Sequence, residues 1–175
     1  VVTAKIESNG FTDIWQTVFM KFRKMLTSGD KIVVKYRTTE VEPLSNNTIT
    51  WTSTTTFTTT VDISGYAVGD EVEIQNGTGS GLCAHIAVMT LNAGTYTVTI
   101  DETATGATGT AKARFQKWKK LDSVAYSDGL AWKDFTLPTT ATSTWIQFKI
   151  FMIFTNPKGE LEEFNLSNRS SQALA

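Results

Sequence analysis

The run "TITWTSTTTFTTTVDI" at residues 48–63 limits the fold of this chain more than any other stretch. Threonine is β-branched, loses side-chain freedom in a helix and packs well on a pleated sheet. With Ile49, Trp51 and Phe57 set among polar threonines, the run reads as one or two extended segments. Helix-favouring runs of Ala, Glu and Leu are scarce, and Gly, Asn and Asp turn signals recur along the chain. The expected class is all-β.

Upstream, "IWQTVFMKFRKMLTSGDKIVVKYRTTE" alternates with period two. Val18, Met20 and Phe22 share one side and Lys21 and Arg23 the other. After "TSGD", Ile32, Val34 and Tyr36 oppose Lys31, Lys35 and Arg37. The pattern predicts a hairpin with an oily and a basic face. Trp15, Val18, Phe19, Phe22 and Leu26 also fit helical spacing, so a helix over 15–26 is the competing reading. Near the other end, "TWIQFKIFMIFT" and "ELEEFNLS" read as a second hairpin, with Ile146, Phe148, Ile150, Met152 and Phe154 on one face.

Between residues 62 and 117 the style changes. "GDEVEI", "LCAHIAVMT", "TYTVTID" and "TAKARF" are short strands joined by "QNGTGSG", "LNAG" and "ETATGATG". The aromatic-rich flanks each hold too little apolar surface to close a core alone. The expected architecture is an antiparallel, jelly-roll-like β-sandwich formed by residues 1–61 with 118–175. Residues 62–117 are inserted into it as a small SH3-like β-barrel or meander.

With 16 basic and 17 acidic residues among 175, the chain has no global pull toward nucleic acid or membrane. One cysteine, Cys83, excludes an intramolecular disulfide framework and a multi-cysteine zinc site. The longest apolar candidate, "WIQFKIFMIF", is interrupted by Gln147 and Lys149 and falls short of a membrane span, so no membrane insertion is expected. Starting at Val1 without methionine or signal peptide, the sequence is expected to be a processed product or a domain of a longer polypeptide.

The alternating Gly77, Gly79 and Gly81 sit where a phosphate loop would lie. A phosphate cradle, however, aims backbone N–H groups and a helix N-terminus at the anion. A strand-like stretch follows instead, and the Walker Gly-Lys-Ser/Thr is absent, so a hairpin connection without nucleotide is expected. His85, the only histidine, shares a strand face with Cys83, and Asp70, Glu71 and Glu73 are candidate neighbours across the sheet. Structural zinc needs four ligands, so His85 is expected to be a buried or half-buried strand residue without metal. It has no nucleophile elbow beside it. The paired carboxylates Glu71 with Glu73, and Glu160 with Glu162, are the one catalytic device in the inventory, of the kind a glycosidase uses. Exposed strand acids ordinarily serve as solvated edge protection, and the expectation is no enzyme, no cofactor and no metal.

Binding has two candidate features. Of the five tryptophans (Trp15, Trp51, Trp118, Trp132 and Trp145), only Trp118, flanked by lysines in "KWKK", is expected outside the core. Lys21, Arg23, Lys35 and Arg37 form the expected basic face, open to an anionic glycan or an acidic protein. Nucleic acid is not an expected partner, because net charge is near neutral and no recognition motif is present.

The central "VGDEVEIQNGTGSGLCAHIAVMTLNAGTYTVTIDETATGATGTAKARFQKWKKL" resembles a module of tailed-bacteriophage structural proteins. The flanks "MKFRKMLTSGDKIVVKYRT" and "WIQFKIFMIFTNPKGELEEFNL" are similar to β-sandwich pieces of tail, fibre or other virion surface proteins. The resemblance is one of style and local pattern. It implies a non-enzymatic virion role in assembly, with other virion proteins or copies of itself as partners and a host-surface glycan as a further contact. It carries over no catalytic residue. A carbohydrate-binding module of a secreted polysaccharide-degrading protein is the alternative, and a sandwich glycosidase the third reading.

Overall fold

The computed structural model describes residues 5–7, 13–22, 31–125, 132–138, 142–153 and 161–170. Every regular element among them is a strand, and every ladder with a defined register is antiparallel. In chain order they are β1 (Ile6–Glu7), β2 (Asp13–Phe22), β3 (Lys31–Arg37), β4 (Leu44–Trp51), β5 (Thr56–Thr59), β6 (Asp70–Gly77) and β7 (Cys83–Asn92). There follow β8 (Thr95–Ile100), β9 (Thr110–Ala125), β10 (Trp132–Thr136), β11 (Thr142–Ser143), β12 (Trp145–Ile153) and β13 (Leu161–Ser170). The chain divides into two compact units, Val1–Thr39 with Leu121–Ala175, and Glu40–Lys120.

The unit made from the two ends is the sandwich. One sheet runs β1-β12-β3 and continues to β9; in the other, β2 is flanked by β13 on one side and by β10 and β11 on the other. Val18 of β2 and Phe135 of β10 share one apolar cluster with Ile32 and Val34 of β3 and Ile146 and Phe148 of β12. Inward-facing residues of two sheets therefore make a common core, as a sandwich requires.

Both predicted hairpins are corrected by this pairing. Among the described residues β2 and β3 share no ladder, and neither do β12 and β13; in each case consecutive strands lie in opposite sheets. The physical reason is burial. A flat hairpin leaves its oily face open, whereas splitting the strands between sheets sets Val18 against Ile32 and Val34 in a closed core. The helical alternative for 15–26 also fails over 15–22, where β2 bonds to strands on both its edges; 23–26 lie outside the described residues.

The Glu40–Lys120 unit is a six-stranded barrel. Its strands run β9-β4-β5-β8-β7-β6, and β6 returns to β9. Strands β4 and β5, which the sequence reading gives to the sandwich, pair instead with β9 and β8. The barrel core packs Trp51 edge-on to Phe57, with ring centroids 5.4 Å apart at 85°. Phe115 lies against Phe57 and Tyr66, at 6.3 and 5.7 Å. Phe57 and Phe115 are fully buried, each contributing roughly 2–3 kcal/mol of apolar burial. Thr56 and Thr58 alternate with Phe57 and are half-buried, Thr59 is buried on the Phe57 face, and the Thr56 and Thr99 hydroxyls meet across β5 and β8 at 3.3 Å.

Candidate functional site

The glycine loop joins β6 to β7. Three of its N–H groups bond locally: Ser80 donates to the Gly77 carbonyl at 3.1 Å, Gly81 to Ile74 at 2.8 Å and Leu82 to Gly79 at 3.0 Å. Gly77, Gly79 and Gly81 all have φ between +82° and +88°, the left-handed region that side chains avoid. The loop also caps the barrel, where the Trp51 indole Nε1–H donates to the Thr78 carbonyl at 3.0 Å. These donors serve a strand-to-strand turn and a cap.

The densest collection of chemistry-bearing side chains lies on β6, β7 and β9. Val72 and Ile74 of β6 enter the barrel core, so Glu71 and Glu73 project on the opposite face by strand alternation. Across the ladder stand Arg114, opposite Glu73, and Gln116, opposite Glu71. The Arg114 guanidinium donates to Glu73 Oε2 through Nε at 3.0 Å and also through Nη2. The Gln116 amide donates to Glu71 Oε1 at 3.2 Å and to Glu73 Oε2 at 3.4 Å, bridging the two carboxylates. Glu71 has no exposed surface.

One residue earlier the register slips, because a single step from Asp70 to Glu71 on β6 spans Lys119 to Gln116 on β9. The bulge brings Lys117 to Asp70, and its ammonium lies 2.8 Å from Oδ2 and 5.0 Å from the Tyr66 ring centroid. Asp70, with 0% exposure, also accepts the Ala67 N–H at 2.9 Å and so closes the turn that enters β6. On β7, His85 is buried beside Asp101, which follows β8. Asp101 accepts the His85 backbone N–H at 2.6 Å, its other oxygen lies 3.3 Å from Nδ1, and its own N–H donates to the His85 carbonyl at 3.0 Å. Cys83 is exposed and pairs with Glu73 in the ladder, as His85 pairs with Glu71. No group of three or more metal-ligating side chains occurs among the described residues.

Outside this girdle, Asp62 accepts the Ser64 N–H at 2.9 Å and the Tyr96 hydroxyl at 3.1 Å. Hydrogen bonds from Ser64, then from Tyr96, hold its carboxyl below the usual carboxylate range. Burial pushes the Tyr66 and Tyr96 phenols up.

The sequence-derived contact residues are dispersed. Lys35 on β3 is buried, with its ammonium 5.2 Å from the Phe151 ring centroid. Arg37 is half-buried and donates to the Gln147 side chain at 2.8 Å. Lys21 belongs to β2 in the other sheet, and Arg23 lies outside the described residues. The cationic partner of Lys35 is Lys149, directly opposite on β12 and 4.9 Å from the same Phe151 ring. Trp118 is buried like Trp51, a correction to its expected exposure: β9 alternation outweighs its lysine neighbours. Trp145 is half-buried with the Lys5 ammonium 4.8 Å from its ring. Trp15 and Trp132 are placed only as positions on β2 and β10. Of the second acid pair, Glu160 lies outside the described residues and Glu162 is a position on β13.

Sequence reasoning missed Asp101, Arg114, Gln116 and Lys117. Alternation in "AKARFQKW" puts Arg114 and Gln116 on one face, but the register that opposes them to Glu73 and Glu71 appears only with the barrel closed. An open depression of about 340 Å³ on the barrel surface is lined by Thr48, Asn76, Gly77, Thr110, Ala111 and Lys112, and Lys112 Nζ donates to Thr48 Oγ1 at 2.7 Å across it. No family model, curated protein or solved structure matches this chain.

Proposed function

We propose that this chain is a non-enzymatic structural module of the phage-virion type, a tail, fibre or capsid-surface component whose work is assembly. The observation that carries the reading is the pairing within the girdle. Glu73 is bound by Arg114, Asp70 by Lys117, Glu71 by Gln116 and His85 by Asp101. Acids that act on a substrate must meet it, and Glu71 and Asp70 have no surface with which to do so. Such groups serve to fix strand register instead. Burial of Trp51 and Trp118 likewise removes two of the flat platforms a sugar-binding module would present. A host-glycan contact through Lys35 is disfavoured for the same reason, since that ammonium is buried.

The test is peptide mass spectrometry on phage particles purified from the source of the sequence. The chain is expected among the particle proteins at a stoichiometry of several copies. Recovery from the culture supernatant instead, joined to a polysaccharide-degrading domain, would replace this reading with the carbohydrate-binding one.

A further inference from the structure

We propose that the free edge of β7, from Ala87 to Asn92, docks a second copy of this chain, the two β7 strands pairing antiparallel about a two-fold axis near Met89 and Thr90. β7 pairs with β8 from Ile86 to Asn92, yet with β6 only at Cys83, Ala84 and His85. The Gly69 N–H takes the Ile86 carbonyl at 2.8 Å. Beyond that point, among the described residues, no strand occupies this side of β7. Alternate residues of an antiparallel strand turn their N–H and C=O groups away from the paired neighbour, so this edge offers a row of donors and acceptors.

Protein sheets ordinarily blunt such an edge with lysine, proline or a bulge. Here "IAVMTLNAGTYTVTI", residues 86–100, holds no charge and no proline. The one bulge lies at its entry, between Ile86 and Val88, and the ladder is regular from Val88 to Asn92. The three most exposed large apolar side chains among the described residues are Leu91 at 58%, Val68 at 57% and Val88 at 53%. Two are on this strand, and Val68 immediately precedes the Gly69 that anchors the start of the edge.

Charge decides the occupant. A two-fold axis sets each residue near its own kind, so any charge close to the axis would face itself, and an uncharged strand is what self-pairing requires. Six residues a side bury well under the roughly 1,000 Å² of an independent stable interface, so the contact is weak singly and gains strength in an array. The inference rests on the assembly reading only for the identity of the partner.

Sedimentation equilibrium of the whole chain, from about 10 μM to about 1 mM as so small an interface demands, provides the test. The mass is expected to rise from monomer to dimer. Thr90→Lys, at an exposed position, is expected to weaken the dimer at least tenfold with an unchanged circular dichroism spectrum. In a Cys83→Ser background, Thr90→Cys is expected to form a disulfide-linked dimer on mild oxidation, whereas the parent chain, whose exposed Cys83 lies far from the axis, is not. Should Thr90→Lys fail to fold, the cross-link decides alone. A monomer mass throughout, a dimer indifferent to Thr90→Lys, or cross-linking through Cys83 instead would overturn the edge. If the chain is nevertheless found in particles, the assembly reading survives without it.

Discussion

The barrel and the sandwich use the same antiparallel ladders but reach them over different lengths of chain. In the barrel, Trp51 pairs with Phe57 and Asn92 with Thr95; five of the six strands fall within Glu40–Lys120, and β9 starts there and runs on to Ala125. In the sandwich, Ile6 pairs with Ile146, and Arg37 reaches Gln147 across 110 positions. Loop closure costs little extra free energy as length grows, only about 0.6 kcal/mol per doubling, but non-local pairing is slow. The difference teaches an order of events: the barrel is a contiguous body able to form first, and its formation leaves the two ends of the chain to find each other.

The largest expected effects come from the two cores. Phe115→Ala in the barrel and Phe148→Ala in the sandwich each remove a fully buried ring and should cost about 3–5 kcal/mol. If the two bodies unfold separately, urea denaturation followed by hydrogen exchange will show each substitution lowering the protection of its own unit. A single transition moved equally by both would break the comparison.

Next is the buried pair. Asp70→Ala leaves Lys117 facing an empty site and should cost the barrel about 3 kcal/mol. The double change Asp70→Leu with Lys117→Met should recover the part due to the unpaired ammonium, while the Ala67 N–H still lacks its Asp70 acceptor. Equilibrium unfolding of the three chains measures this directly.

Smaller effects separate two glycines of one loop. A Cβ at Gly77 would stand 2.9 Å from Ala111 Cα and from the Thr110 carbonyl, whereas at Gly81 nothing lies within 4 Å. Both have positive φ, which costs a side chain about 1–2 kcal/mol. Gly81→Ala should cost about that much and Gly77→Ala clearly more, as read from their midpoints in urea.

The smallest effects are those of pH, and all three groups concerned belong to the barrel. Tyr66 and Tyr96 have phenols raised by burial, so the stability they contribute is full below their unfolded value near 10 and is lost as pH rises through the folded values. Asp62 is lowered by its hydrogen bonds, so its contribution is present above the unfolded carboxylate value and is lost as pH falls through the folded one. Asp62→Asn should flatten the acid limb of barrel stability and Tyr96→Phe the alkaline one, while the sandwich responds to neither.

Legibility in the sequence follows the same division. Alternation of Ile49, Trp51 and Phe57 among threonines identified strands correctly, because a side-chain period of two is a local property. Gly77, Gly79 and Gly81 read correctly as a strand-to-strand connection. What the sequence hid is pairing. Lys35 and Lys21 alternate properly on their own strands, yet they lie in different sheets, since nothing local says which oily face a strand will cover. The girdle was half legible: Glu71, Glu73 and His85 stood out by type. Their partners Gln116 and Arg114 depended on the β6–β9 register, which slips at Asp70, and Asp101 on the β7–β8 pairing that sets it beside His85. Trp118 misled for a related reason, because flanking lysines describe its neighbours in sequence and its strand face decides its burial.

The most direct test of the account is to express Glu40–Lys120 alone and record its amide proton–nitrogen correlation spectrum together with a urea titration. A self-contained barrel predicts dispersed resonances and one cooperative transition. Nuclear Overhauser contacts between Phe57 and Phe115 should accompany them, since these rings meet in the intact chain. A collapsed spectrum without cooperative unfolding, restored only when the two ends of the chain are present, would contradict it.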